Sequence, residues 1–205
     1  MKTLIIAVIF LAVSCSAENG KTVVSPFAGS WYPGTKESLE KEIGSMAGNT
    51  EAVKGPKPFA FIMPHAGYVY SGRTAATAVP YMKGHGFERV VILAPSHRAP
   101  VVNSACLSGA AKFQTPLGDI AVDSAFEEKL LANKLFFRNS DLHSQEHSTQ
   151  VEIPFIQYVL GNGVKIVPVI VGRLNNKSIK SIADTLRENI DDKTLVIASS
   201  DFTHY

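Results

Sequence analysis

The sequence predicts an α/β fold, a single domain with a mainly parallel central sheet flanked by helices. Three uninterrupted apolar runs, Phe59-Ala60-Phe61-Ile62-Met63, Arg89-Val90-Val91-Ile92-Leu93 and Thr194-Leu195-Val196-Ile197-Ala198, have the composition of strands buried on both faces of a parallel sheet. Segments of helical spacing lie between them, the alternation that parallel sheets require. The 205 residues are 45% hydrophobic and 19% charged, enough to bury one sizeable core. A formal net charge of +2 gives no electrostatic footprint for nucleic acid or for a membrane surface.

The N-terminus reads as a separate module. Met1-Lys2-Thr3 is a charged start, Leu4 to Val13 an apolar run too short to span a bilayer, and Leu11-Ala12-Val13-Ser14-Cys15 places small residues before a cysteine. This order is that of a bacterial lipoprotein signal over 1–15, with Cys15 lipidated and the protein exported to the cell envelope. The only membrane attachment is then the lipid anchor at Cys15. Ordinary signal cleavage after Cys15-Ser16-Ala17 is the alternative. Residues 16–25 read as a tether and 26–205 as the folded domain. With Cys15 so used, Cys106 is left without an intramolecular partner and reads as a buried thiol.

Within the domain, Phe27 to Gly34 is an aromatic-rich turn, and Leu39, Ile43 and Met46 recur at helical spacing before Gly48. Pro56 and Pro58 break the chain ahead of the first buried strand. The small-residue run Gly72 to Ala78 reads as a helix packed closely on the sheet. Strands are expected at 89–94, around 101–107, through 118–122 and over Val164 to Val171, where Pro168 argues for an edge or a bulge. Ser124-x-x-Glu127 has the form of a capping box. Pro154 leaves the helix after His147 ambiguous, and Ile179, Ile182, Ala183, Leu186 and Ile190 form an amphipathic stripe. The stop at Tyr205, directly after a strand exit, predicts a C-terminally incomplete domain.

The chemistry lies at the strand exits. The three runs lead into Pro64-His65-Ala66-Gly67-Tyr68, Ala94-Pro95-Ser96-His97-Arg98 and Ser199-Ser200-Asp201-Phe202-Thr203-His204-Tyr205. Ligands of open α/β sheets sit beyond the carboxyl ends of the strands, so three imidazoles and a carboxylate converge on one edge. Neutral imidazoles at neighbouring strand ends can share a first-row metal ion, which makes His65 and His97 candidate metal ligands. Taken singly, each could instead cap a turn. Asp201 and His204 form a candidate acid–base pair, and an N-cap is the alternative role for Asp201. His147, in Glu146-His147-Ser148, is a further candidate catalytic residue lining the pocket. His143 is expected to be exposed, and His143-x-x-x-His147 lacks the His-Glu-x-x-His order of zinc proteases. Neither a phosphate-binding glycine loop nor a Gly-x-Ser-x-Gly elbow occurs, which argues against kinases and α/β-hydrolases.

Several strings together resemble the Memo family, called AmmeMemoRadiSam system protein B in bacteria and archaea. They are Ala28-Gly29-Ser30-Trp31-Tyr32, Pro64-His65-Ala66-Gly67-Tyr68, Pro95-Ser96-His97, Thr115-Pro116-Leu117-Gly118, Glu146-His147-Ser148, Pro168 to Gly172, and Ser199 to His204. The resemblance implies a fold similar to class III extradiol ring-cleavage dioxygenases, which use non-haem Fe(II). It also implies that His65 and His97 match metal-binding histidines, and that Asp201 and His204 match the acidic residue and third histidine. A cysteine that completes the family's metal site would fall beyond Tyr205. Fe(II) or copper is the implied cofactor, with zinc a further candidate. Two functions follow: a metal-dependent redox enzyme acting on a small molecule, or a module that binds a metal or a peptide without turnover. A zinc hydrolase ranks behind both.

Overall fold

The computed structural model describes residues 20–48 and 51–203. The Cys15 anchor, the signal over 1–15 and His204 lie outside the described residues. In chain order the elements are β1 (Thr22–Val24), α1 (Lys36–Ala47), β2 (Ala60–Met63), a π-helical turn (Tyr68–Gly72), α2 (Arg73–Ala76), α3 (Val79–Met82), β3 (Arg89–Pro95), β4 (Ala105–Leu107), β5 (Lys112–Thr115) and β6 (Gly118–Ala121). They continue with α4 (Ser124–Leu130), β7 (Phe136–Arg138), α5 (Ser140–Gln145), α6 (His147–Gln150), α7 (Ile153–Leu160), β8 (Lys165–Val171), α8 (Asn176–Asn189) and β9 (Thr194–Ser199).

Six strands form the main sheet in the order β2-β9-β3-β8-β4-β7, and β1-β5-β6 form a second, three-stranded sheet. Within the main sheet only the β8–β4 pairing is antiparallel. Helices cover both faces because the strand residues alternate between two cores. Val90 and Ile92 pack with Leu39 and Ile43 of α1 and Ile153, Phe155 and Ile156 of α7. Val91 turns the other way, onto Phe126 and Leu130 of α4 and Ile182 and Leu186 of α8. This two-sided burial is what the continuous apolar runs encode.

Helix ends follow local chemistry. Thr35 caps α1, its Oγ1 accepting the Ser38 N–H, and Gly48 ends the helix at φ 65°. Pro154 sits in the first turn of α7, where its missing N–H breaks no helical bond.

Four expectations are corrected. Residues 22–24 are strand rather than tether: Val23 is buried, and β1 pairs with β5. The strand expected around 101–107 is confined to Ala105–Leu107. Glu127 closes no capping box. Asp123 caps α4 by accepting the Phe126 N–H, while Glu127 is buried and accepts from Ser108 N, Ser108 Oγ, Gly109 N and Arg138 Nε. Pro168 lies in a central strand. Lys165 N–H donates to Glu88 O and Val171 O accepts from Ser96 N–H, so the odd-numbered residues of β8 bond toward β3. Pro168 therefore faces β4, whose ladder ends with Leu107 opposite Val169. A missing N–H one residue past that ladder costs no hydrogen bond.

Candidate metal centre

Strands β2, β9 and β3 are adjacent and parallel, with Met63 opposite Ser199 and Leu93 opposite Ala198. Their carboxyl ends are therefore level. His65, Asp201 and His97 each follow the last residue of their strand by two positions, Met63, Ser199 and Pro95 respectively. Register thus delivers two imidazoles and the carboxylate to one edge.

The third imidazole of the cluster comes from a helix. His147 opens α6, and ligand nitrogens of His65, His97 and His147 all lie within 4.8 Å of one another. The ring centroids are 5.3 Å apart for His65–His97, 5.6 Å for His65–His147 and 4.4 Å for His97–His147. The indole of Trp31 packs on the His147 ring at 4.3 Å, with Phe27 edge-on to both. Those aromatic rings form a wall that holds His147 against the other two.

Each of the two strand-end histidines is gripped at main chain and ring. Glu146 accepts the His97 main-chain N–H at 2.6 Å and pairs with His97 Nδ1 at 2.9 Å. It also caps α6 through the Ser148 N–H. Burial opposes its charge, yet the His97 main-chain and ring donors and the Ser148 N–H together hold its carboxyl below the usual range. The carboxylate thus places hydrogen on His97 Nδ1, and Nε2 keeps the lone pair. Asp201 accepts the His65 main-chain N–H at 2.6 Å, and Ser199 Oγ lies 2.7 Å from His65 Nδ1. Asp201 therefore ties the exit of β9 to that of β2, a role the sequence reading did not include.

His147 is neutral near pH 7. Burial lowers its pKa to about 4 against the pull of Glu146, and His97, His65 and Arg98 lower it further. Its Nδ1 stands 3.3 Å from Glu146 Oε1 without hydrogen-bond geometry, a buried nitrogen with no hydrogen-bond partner among the described residues. Three imidazoles with ligand nitrogens this close fit a borderline first-row cation. Before the cluster opens a cleft of about 760 Å³, lined by Trp31, Val69, Tyr70, His97, His147 and Asp201 among others.

His147, read from sequence as a pocket-lining catalytic group, thus stands in the cluster itself. His143 corrects the sequence reading: it is fully buried, and its Nε2 pairs with Cys106 O at 3.0 Å. Burial lowers its pKa to about 4, partly offset by that bond and by Glu146. Cys106 is buried as expected, and burial pushes its thiol up to about 12. Sequence reasoning assigned no chemistry to Glu146 or Ser199, whose side chains meet the His97 and His65 rings. The string Glu146-His147-Ser148 was the available signal for the first.

An α/β sheet with a histidine cluster and an acidic residue at the carboxyl ends of its central strands defines a class of candidate metalloproteins. Residues 25–205 match the profile of the Memo-like protein family. The chain is 36% identical over 179 residues to a MEMO1 family protein of Thermoplasma acidophilum, covering 87% of this chain and 66% of that one. It is 35% identical over 181 residues to a MEMO1 family protein of Aquifex aeolicus, again covering 87% and 66%. It is also 35% identical over 184 residues to a memo-1 homolog of Caenorhabditis elegans, covering 87% of this chain and 51% of the nematode protein. The chain belongs to the Memo family, and it spans just under two thirds of its archaeal relative's length.

Proposed function

We propose that His65, His97 and His147 hold one redox-active first-row ion, Fe(II) or copper, in an enzyme that acts on a small molecule bound in the adjoining cleft. The carrying observation is the convergence of three imidazoles whose ligand nitrogens lie within 4.8 Å of one another. Such an ion, when bound, supplies one-electron and oxygen chemistry; zinc suits the same nitrogen donors but supplies only Lewis acidity. The chain's own residues supply the rest. Trp31 and Tyr70 offer flat apolar surface to a planar substrate, and the cleft walls shed its water. Asp201, which lines the cleft, would hold a substrate proton or orient a neighbouring imidazole. His204 is assigned the acid–base role by its match to the family pattern.

The second reading is a metal- or peptide-binding module without turnover. Its support is the exposed rim, where Val69 and Tyr70 both project into solvent beside the cleft.

Anaerobic titration with Fe(II), Cu(I) and Zn(II) tests the proposal. About one ion per chain is expected for a single site. His65→Ala, His97→Ala and His147→Ala should each lose more than the roughly 10–100-fold in affinity that removal of an outer partner costs. His204→Ala should retain the ion and lose oxygen-dependent turnover. Normal binding by all three ligand variants contradicts the site. Normal binding by the wild type with no oxygen chemistry on any small substrate favours the module.

A further inference from the structure

Ser199 Oγ, at the last residue of β9, lies within hydrogen-bond distance of three groups: Ser148 O at 2.7 Å, His65 Nδ1 at 2.7 Å and Glu152 Oε1 at 3.0 Å. A hydroxyl has one hydrogen and two lone pairs. The Ser148 carbonyl can only accept, so the Ser199 hydrogen goes there. Both lone pairs are then left for donors. His65 must carry its hydrogen on Nδ1, and Glu152 must carry the acid hydrogen on Oε1. Around the Ser199 hydroxyl every other assignment leaves two acceptors or two donors facing each other, and at the opposite ring nitrogen Asp201 Oδ2 stands 3.7 Å from His65 Nε2, beyond hydrogen-bond distance.

Two observations agree that Glu152 is a neutral acid. The residue is fully buried, and its second oxygen, Oε2, has no hydrogen-bond partner among the described residues. An unpaired carbonyl oxygen of an acid is tolerable there, whereas an unpaired carboxylate oxygen is far costlier. Burial raises the Glu152 pKa to about 8 despite the Ser199 bond, with Asp201 adding to the rise. No cation pairs with this carboxyl among the ion pairs of the described residues.

We propose that Glu152 and Ser199 are positioning residues: a protonated Glu152 directs the Ser199 hydroxyl so that His65 is held with hydrogen on Nδ1 and its Nε2 lone pair available to a metal ion. On the far side of the cluster, Glu146 does the same for His97 with an ionised carboxylate. One histidine is therefore oriented by a charged acid and the other by a neutral acid acting through a hydroxyl. The consequence for metal affinity rests on the proposed reading of His65 as a ligand. The tautomer does not, because it is set in the metal-free protein.

The test uses ¹⁵N-detected histidine spectra of the metal-free protein near pH 7, followed by Zn(II) titration of the same samples. Wild type should show His65 with hydrogen on Nδ1 and an unprotonated Nε2. Glu152→Gln supplies a neutral donor in the same place, so it should keep that signature and bind zinc within about twofold of wild type. Ser199→Ala should lose the Nδ1 preference and weaken zinc binding by about 10-fold or more, the size of an outer-partner loss. Glu152→Leu, which cannot donate, should lose the Nδ1 preference as Ser199→Ala does, whereas a Glu152 that merely fills space would keep it in both the Gln and the Leu variants. Hydrogen on Nε2 of His65 in the wild type overturns the proposal. So does a Glu152→Gln variant that changes the His65 signature, since that result means Glu152 accepts rather than donates. Absence of zinc binding with the Nδ1 signature intact contradicts the ligand reading alone and supports the tautomer assignment.

Discussion

Glu146 makes three hydrogen bonds that no neutral side chain can reproduce. It accepts the His97 main-chain N–H, the His97 ring N–H and the Ser148 N–H, so one carboxylate fixes a strand exit, an imidazole and a helix start. Glu146→Gln keeps the size but loses the charge and half the acceptor capacity. Zinc affinity should fall about 10–100-fold in this variant, measured by competition with a chelating dye. An unchanged affinity would mean that the His97 ring is oriented by something else. The histidines themselves were legible in the sequence, because His65 and His97 sit just past apolar runs. Glu146, Glu152 and Ser199 were not. Each acts on a residue distant in sequence, with Ser199 lying 134 positions from His65, and only strand register and the packing of α6 and α7 against the strand exits bring them together.

At the level of elements, the exits of β2, β9 and β3 are levelled by register, and the loop after β8 closes the same edge. Gly172 follows β8, and a Cβ there would meet the main-chain oxygen of Val101 at 1.9 Å. The Arg173 N–H donates to that same oxygen, so the backbone cannot yield without losing the bond. Gly172→Ala should therefore cost about 3 kcal/mol or more, read as a shift in the urea midpoint, because over-packing against main chain has no rotamer to relax it. Loss of less than about 1 kcal/mol would show that the loop moves freely. Periodicity made the buried strands and α8 readable. It failed for β1, whose three residues are too few to alternate, and for Pro168, whose neighbouring strand ends where no sequence pattern records it.

For the molecule as a whole, the buried histidines make stability depend on acidity. His143 has a folded pKa of about 4 against an ordinary value of 6.5, so between these values the unfolded chain binds more protons than the folded one. Its contribution is fully present above about pH 6.5, is lost as the pH falls toward 4, and levels off below. A shift of that size corresponds to roughly 3 kcal/mol. His143→Gln, whose amide can still donate to Cys106 O, should flatten the stability profile between pH 6.5 and 4 by an amount of this order in urea unfolding at several pH values. An identical slope in variant and wild type would mean that His143 opens to solvent before unfolding.

X-ray absorption of the metal-loaded protein tests most directly whether strand register and the start of α6 together make one metal site from three histidines. Zinc-loaded protein should show nitrogen donors near 2.0–2.1 Å, at about the distance usual for histidine, with outer-ring scattering from three imidazoles. His147→Ala should reduce that scattering to two. A spectrum dominated by oxygen donors, or one that the His147 substitution leaves unchanged, would contradict the account.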